Sequence, residues 1–213
     1  MDDGFEYFLK KFGNGFDRRE VSQGSIEHYK GRLPAKLMEY WQAYGWCGYA
    51  DGLFWTVNPQ DYKPVVDAFL DGTEFATSDT YHVIAKNGFG ELYLWGEETA
   101  QSLTISSYFN KYFYHAWAPK RHGDPRAVTS FFAFQSPEYN DLDGLFSPAL
   151  KTLGRLKYDE IYGFVPALAF GGEPSLKRLK KVKDVEHMLL LAQLEPLQHW
   201  EFPGWNLAED VDS

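Results

Sequence analysis

The sequence contains very little cysteine and no long apolar segment. Cys47 is the only cysteine among 213 residues, which excludes an intramolecular disulfide and a cysteine-based zinc site. The seven-residue apolar run at 164–170 is far shorter than the roughly 20 residues that a membrane-spanning helix needs. Residues 1–4 lack the basic region and apolar run of a secretory signal. We therefore expect a cytoplasmic protein that does not enter a membrane.

The common catalytic motifs are also missing. Gly13 and Gly15 begin a dinucleotide-binding pattern, but the third glycine is absent and a helical rather than a strand pattern precedes them. The chain has no phosphate-binding loop and no nucleophile elbow, and its six histidines form no i, i+4 pair for zinc. We therefore predict no catalytic residues, no metal, no cofactor and no enzymatic activity. Acid–base chemistry stays open as an alternative at three carboxylate pairs: Glu97 with Glu98, Asp141 with Asp143, and Asp159 with Glu160.

Charge is unevenly distributed along this acidic chain, whose formal net charge is -9. Residues 37–110 contain ten acidic and two basic residues, a balance of -8. Residues 151–183 contain eight basic and three acidic residues, whereas residues 184–213 contain seven acidic residues and no Lys or Arg. A negative field repels nucleic acid and attracts basic surfaces, so direct nucleic-acid binding is disfavoured and a basic protein partner is favoured. Acidity for solubility alone is the alternative.

The first half of the chain alternates helix and strand patterns. Phe5, Phe8, Leu9 and Phe12 have the spacing of an amphipathic helix that ends at residues 13–15. Further helices are predicted from Pro34 to Gly45 and after residues 58–59, separated by a strand at 53–57. Residues 81–86 and 89–95 are rich in strand-forming residues. Asn87 and Gly88 between them predict a β-hairpin with a type I′ turn.

The second half shows mainly helical patterns after two more strands. Strands are predicted at 102–107 and 111–117, with a turn at Asn110, and the breaker-rich segment 119–125 predicts a domain boundary. The remaining predictions are helices at 126–134 and 146–153, a buried extended segment at 161–170, and a helix from 182 or 184 to 194. In this last helix Asp184 is the expected N-cap, and Leu189, Leu190 and Leu191 are expected to be buried.

Together these patterns predict an α+β protein with a central, mainly antiparallel sheet flanked by helices, followed by a mostly helical C-terminal subdomain. The predicted organisation is an α+β domain at 1–122, a second domain at 123–205, and a flexible acidic tail at 206–213.

Two long segments carry a resemblance to known families. Residues 153–172, LGRLKYDEIYGFVPALAFGG, and 179–194, LKKVKDVEHMLLLAQL, resemble the C-terminal domain of type VI secretion immunity proteins that neutralise DNase effectors. Upstream, residues 5–117, with GLFW at 52–55 and GFGELYLW at 88–95, are similar to the GAD-like domain that precedes it. The resemblance implies a non-enzymatic, bacterial cytoplasmic antitoxin that binds its cognate DNase toxin.

The partner surface is predicted from charge and aromatic content, because the resemblance supplies no site residues. Carboxylates that surround aromatic anchors suit a basic protein partner. The candidate toxin-binding residues are Asp51, Asp61, Tyr62, Asp67, Glu91, Tyr93, Glu97 and Glu98. An adaptor or chaperone-like module for a basic partner is the alternative function. Inhibition by remodelling the toxin away from its catalytic groove is the alternative mechanism, and there the carboxylates would only aid encounter.

Overall fold

The computed structural model describes residues 3–114 and 124–200. The α-helices of this part are α1 (Asp3–Phe12), α2 (Gln23–Tyr29), α3 (Ala35–Tyr44), α4 (Pro59–Leu70), α5 (Phe75–Ser78), α6 (Pro125–Phe134), α7 (Pro137–Asn140), α8 (Phe146–Leu153) and α9 (Asp184–Leu194). Its β-strands are β1 (Phe16–Arg19), β2 (Trp46–Tyr49), β3 (Phe54–Thr56), β4 (Tyr81–Asn87), β5 (Glu91–Gly96), β6 (Ala100–Ser106), β7 (Lys111–Tyr114), β8 (Glu160–Phe164), β9 (Leu179–Lys183) and β10 (Gln198–His199).

Eight strands form one large sheet, in the order β1-β2-β3-β4-β5-β6-β7-β10. Neighbours in this sheet are antiparallel except β7 and β10, which are parallel. β8 and β9 form a separate antiparallel hairpin. The predicted α+β class, with a mainly antiparallel central sheet and a mostly helical C-terminal region, is confirmed.

The centre of the large sheet is buried on both faces. Val83, Ile84 and Ala85 of β4 are fully buried although consecutive side chains of a strand point to opposite faces. Helices cover both faces, and for that reason these strands have nearly continuous apolar sequences instead of an alternating pattern.

The β4–β5 hairpin is present, but the predicted two-residue type I′ turn is wrong. Lys86 pairs with Leu92, and the loop contains three residues, of which Gly90 has a φ of 91°. The Asn87 side chain sets this geometry, because its Oδ1 accepts hydrogen bonds from the backbone N–H groups of Phe89 and Glu91, at 3.0 and 2.9 Å. The Asn87–Gly88 dipeptide therefore indicated a hairpin correctly, but the hydrogen bonds of the Asn87 side chain stabilise a three-residue loop.

Packing between the two halves of the chain produces one core. Phe132 of α6 contacts the rings of Phe5, Phe8 and Tyr40, with centroids 5.0, 5.4 and 5.5 Å apart. The buried apolar residues of both halves belong to a single cluster. The apolar face that periodicity predicted for α1 is therefore covered by a helix from the second half.

Two predictions in the second half need correction. The predicted extended segment at 161–170 is a strand only as far as Phe164, and a 3-10 turn at Leu168–Phe170 leaves Phe170 exposed. In α9, Leu191 is buried but Leu190 is 52% exposed, because three successive helix positions cannot all face the core.

Several short elements escaped prediction. The sequences of β1, FDRR, and β9, LKKVK, are mostly charged and lie largely exposed at sheet edges, where charge discourages edge-to-edge pairing. Helix α2 was also missed. The predicted boundary at 122/123, the end of the predicted strand at 115–117 and the tail at 206–213 lie outside the described residues and stay predictions.

Candidate functional site

Helix α4 presents part of the acidic span to solvent. Asn58 caps the helix, with its side chain accepting a hydrogen bond from the backbone N–H of Gln60 at 3.3 Å. The apolar face of α4 turns into the core, so Asp61 and Asp67 are exposed, as is Asp71 just after the helix. Asp67 pairs with Lys63 one turn earlier at 2.6 Å.

Asp79 joins this surface to the β5–β6 turn. Its carboxylate accepts hydrogen bonds from the backbone N–H groups of Glu98 and Thr99, at 3.1 and 2.9 Å, and from the Thr99 hydroxyl at 2.7 Å. Glu98 is exposed, whereas Glu97 is partly buried and lies 2.8 Å from His82 Nε2. Three of the predicted residues, Asp67, Glu97 and Glu98, therefore belong to one side of the first domain.

A cleft of about 590 Å³, here called the first cleft, lies between α2, α4, α5 and β4. Asp67, Asp71 and Asp79 line it together with His28, Arg32 and Lys63. His82 forms part of its wall, and burial lowers the pKa of this imidazole, although the hydrogen bond to Glu97 opposes the shift. Acidic and basic side chains both line this cleft, so it is poorly suited to bind one cationic group. Its acidic rim is better suited to long-range attraction of a basic partner.

Two predicted carboxylates contact the second half of the chain. Asp51 is exposed and forms an ion pair with the Arg155 guanidinium. Asp61 accepts hydrogen bonds from the Asn58 side chain at 3.1 Å and from the Tyr158 hydroxyl at 3.4 Å. The structure does not bring Asp51 together with the acidic residues of the first cleft.

Tyr62 and Tyr93, two of the predicted toxin-binding residues, are buried rather than exposed as aromatic anchors at the surface. Tyr62 is 1% exposed and donates a hydrogen bond to Asp184 Oδ2 at 2.5 Å. Tyr93 is 7% exposed and donates one to Asn140 Oδ1 at 2.8 Å. Both hydroxyls bond to residues from the second half, since α7 and α9 cover the surfaces that these aromatic residues would otherwise present.

Glu91 lies in a different cavity, of about 600 Å³, here called the aromatic cleft. Its carboxylate accepts hydrogen bonds from the hydroxyls of Ser106 and Tyr108, at 3.2 and 3.1 Å. Burial raises the pKa of Glu91, while the hydroxyl hydrogen bonds act in the opposite direction. Of the eight candidate residues, Glu91 is the acidic one that combines burial with access to a cavity.

In each of the three carboxylate pairs proposed for acid–base chemistry, at least one member has a structural partner, which for Glu97 is His82. Asp159 forms an ion pair with Lys183, whose side chain holds the pKa of this carboxyl below its ordinary value. Glu160 accepts a hydrogen bond from the backbone N–H of Lys157 at 3.0 Å, and Asp141 accepts one from Gly144 at 3.1 Å. These are structural roles in turns and ion pairs.

Lys86 and Asp184 form a buried charged pair that the sequence patterns did not indicate. Asp184 was predicted as the N-cap of α9, but Lys183 occupies that position and the Asp184 carboxylate contacts Lys86 instead. A lysine after the apolar residues 83–85 in a central strand was the available signal, because a buried ammonium requires a partner. The sequence could not show which carboxylate supplies it.

Three general features of the described residues bear on function. Within 3–114 and 124–200, no group of three or more His, Cys, Asp and Glu side chains could hold a metal ion. In the same residues no helix is both long and apolar enough to cross a bilayer. Cys47 is buried, and desolvation raises the pKa of its thiol.

Comparison with known proteins gives matches to two families and to a solved structure. The family described as GAD-like domain matches residues 3–109, half of the chain. The family described as T6SS immunity protein Tdi1, C-terminal, matches residues 126–195. The crystal structure of Atu4351 from Agrobacterium tumefaciens superposes with a TM-score of 0.80 at 22% identity, covering 93% of this chain and 94% of that one. The comparison with curated proteins finds no match.

These matches confirm the two-part resemblance that the sequence motifs indicated. The likeness to the solved structure shows that the whole fold is shared, and the second family supports an immunity-protein role. The chain belongs to the GAD-like domain family, and after that domain its residues 126–195 are similar to the C-terminal domain of the T6SS immunity protein Tdi1.

Proposed function

We propose that this protein is a cytoplasmic antitoxin that binds a cognate type VI secretion DNase toxin and prevents DNA cleavage in the producing cell. The match of residues 126–195 to an immunity-protein domain carries the proposal. The proposed partner is a basic protein, because a DNase must attract the phosphates of DNA. The protein acts by binding and not as an enzyme.

Charge complementarity supports this partner. Asp67 and Asp71 of the first cleft and Glu98 of the β5–β6 turn are exposed, and the span 37–110 that contains them carries ten acidic and two basic residues. A surface of this kind attracts a basic protein and raises the association rate, with an effect that declines as salt is added. The same field disfavours direct contact with nucleic acid.

The experiment begins with co-expression of this protein and each toxin encoded beside its gene, with survival and co-purification as readouts. A variant in which Asp67, Asp71 and Glu98 are all changed to Lys should associate more slowly with the toxin and show a weaker dependence on salt. The control variant changes Glu20, Glu138 and Glu186 to Lys. All three are exposed, so the net charge changes equally while the acidic surface stays intact.

Each outcome is informative. Rescue and a stable complex, with slower association in the first variant only, support the proposal. Equal slowing in both variants would mean that net charge and not this surface is responsible. Stable binding without rescue would favour the adaptor alternative, and absence of both binding and rescue would exclude the immunity role.

A further inference from the structure

The aromatic cleft lies where the two domains meet. Its walls come from β5, β6, β7 and the loop between α7 and α8. Residues 173–174, between β8 and β9, and Trp200, just after β10, complete them. Glu91 and Phe113 are contributed by the first half of the chain, and Leu142, Pro174 and Trp200 by the second. Residues from both halves of the folded chain are therefore needed to form this cavity.

Aromatic rings form one side of the cleft. Trp200 packs edge-on against Phe109 with centroids 5.2 Å apart and stacks on Phe113 at 5.3 Å with an interplanar angle of 20°. Tyr108 contacts Phe109 at 4.8 Å. Electron-rich ring faces of this kind attract cations, and a planar guanidinium stacks on them especially well.

Carboxylates form the other chemical feature of the cleft. Glu91 lies in the wall and is partly buried, while Asp143 and Glu173 are exposed. Among the described residues that line the cavity there is no Lys, Arg or His. The nearby Lys111 places its Nζ 5.5 Å from the Trp200 ring centre but is not one of the lining residues. This contrasts with the first cleft, whose lining includes both acidic and basic side chains.

The chemistry of the cleft selects among possible occupants. An apolar side chain would cover Glu91 without neutralising it, which leaves a buried charge unpaired. A metal ion is disfavoured because the described carboxylates include no group that could hold one. Residues 201–213 contain four acidic and no basic residues, so their charge is repelled by the carboxylates of the cleft. An arginine or lysine side chain can stack on the rings and pair with the carboxylates at the same time.

We propose that the aromatic cleft receives one Arg or Lys side chain of the toxin, which stacks against the aromatic wall and pairs with Glu91. This inference rests on the proposed function and specifies the anchor of the interface. It also separates two roles of negative charge. The exposed acidic residues of the first cleft accelerate encounter, whereas the Glu91 pair slows dissociation, because desolvated charge pairs act mainly on the dissociation rate.

The test measures the kinetics of toxin binding to the full-length protein. Glu91→Gln removes the charge and retains an oxygen that accepts from Ser106 and Tyr108. It should weaken binding by at least about 30-fold, mostly through faster dissociation. The matched control is Asp67→Asn in the first cleft, which removes one charge and should change the dissociation rate less than about threefold. Circular dichroism and thermal unfolding check that both variants are folded.

A second variant covers the case in which Glu91→Gln does not fold. Glu173→Lys places a cation at the exposed mouth of the cleft, and it should also accelerate dissociation of the toxin. In the toxin, each Arg and Lys is then replaced by Gln. These replacements are made one at a time. One of them should weaken binding to the wild-type protein but not weaken binding to the Glu91→Gln variant any further, which is the result that a double-mutant cycle gives for a direct pair.

The outcomes distinguish the two proposals. If the wild-type protein binds the toxin but both cleft variants dissociate at the wild-type rate, the anchor is excluded and the immunity role stands. The proposed anchor would also be overturned if the Glu91→Gln variant bound the toxin more tightly than the wild-type protein, or if no Arg or Lys of the toxin were coupled to Glu91. If the wild-type protein binds no neighbouring toxin, both proposals fail.

Discussion

Lys86 and Asp184 form a buried ion pair that joins the GAD-like domain to the C-terminal domain. Their side chains are 0% and 3% exposed. The Lys86 ammonium also donates to the carbonyl oxygens of Tyr158 and Glu160, at 2.8 and 3.3 Å, while Tyr62 donates to Asp184. All three ammonium protons therefore have acceptors, as a buried charge requires.

We predict that removing one member of this pair strongly destabilises the protein. Lys86→Met leaves the Asp184 charge buried without its partner, and the free energy of unfolding should fall by about 3–5 kcal/mol. The double variant Lys86→Met with Asp184→Leu should recover much of that loss, because no charge stays behind. Urea unfolding followed by tryptophan fluorescence measures both effects.

An exposed ion pair supplies the control for this prediction. Lys63 and Asp67 pair on the surface of α4, with side chains 72% and 61% exposed. Lys63→Met should change the free energy of unfolding by less than about 0.5 kcal/mol. If Lys86→Met costs no more than Lys63→Met, the buried pair does not hold the domains together.

Asn110 connects the β6–β7 turn to the end of α9. It adopts a left-handed conformation with a φ of 50°, and its Nδ2 donates to the carbonyl oxygens of Leu191 and Glu195, at 2.8 and 2.7 Å. Asn110→Gly allows the same backbone conformation but leaves these helix-terminal carbonyls without the amide, so stability should fall by about 1–3 kcal/mol. Asn14→Gly, at an exposed position, should have an effect within about 0.5 kcal/mol. Equal unfolding midpoints for the two variants would contradict this prediction.

Gly88 is required by close packing in the hairpin loop. A Cβ at this position would lie 2.9 Å from the Gly52 carbonyl oxygen and 2.9 Å from the Phe146 ring. Gly88→Ala should therefore destabilise the protein by about 1–3 kcal/mol. Gly24→Ala, in the exposed part of α2 with only one atom near the new Cβ, should stabilise it by up to about 1 kcal/mol. Thermal unfolding of the two variants gives shifts of opposite sign if the packing is as described.

Acid should weaken the fold through His187. Burial lowers the pKa of this imidazole below its ordinary value of 6.5, so the unfolded chain binds protons more readily than the folded one. The stability contributed by the neutral ring is present above about pH 6.5 and is lost as the pH falls through the lower folded pKa. His187→Gln should show a smaller loss between pH 7.5 and pH 5.5 in urea unfolding. Identical losses for the variant and the wild-type protein would exclude His187 as a contributor.

Local elements with strong apolar periodicity or clear capping and turn residues could be predicted from the sequence. The apolar spacing of Phe5, Phe8 and Phe12 defined α1, the Asn58 cap began α4, and the Asn87–Gly88 dipeptide indicated the central hairpin. These signals are local, because capping, turn formation and amphipathic burial depend on residues a few positions apart. The motifs at 88–95 and 153–194 likewise carried the family, which both matches confirm.

The accessibility of polar and aromatic side chains depended instead on contacts between distant parts of the chain. Tyr62, Tyr93 and Asp184 resemble surface or capping residues in the sequence, yet each is buried by a contact across 47 or more positions. Glu91 acquired its aromatic surroundings from residues as distant as Trp200. Burial and pairing of this kind depend on how the two domains pack. Residues far apart in the chain come into contact only when the domains pack, and local sequence patterns do not show which distant residues will meet.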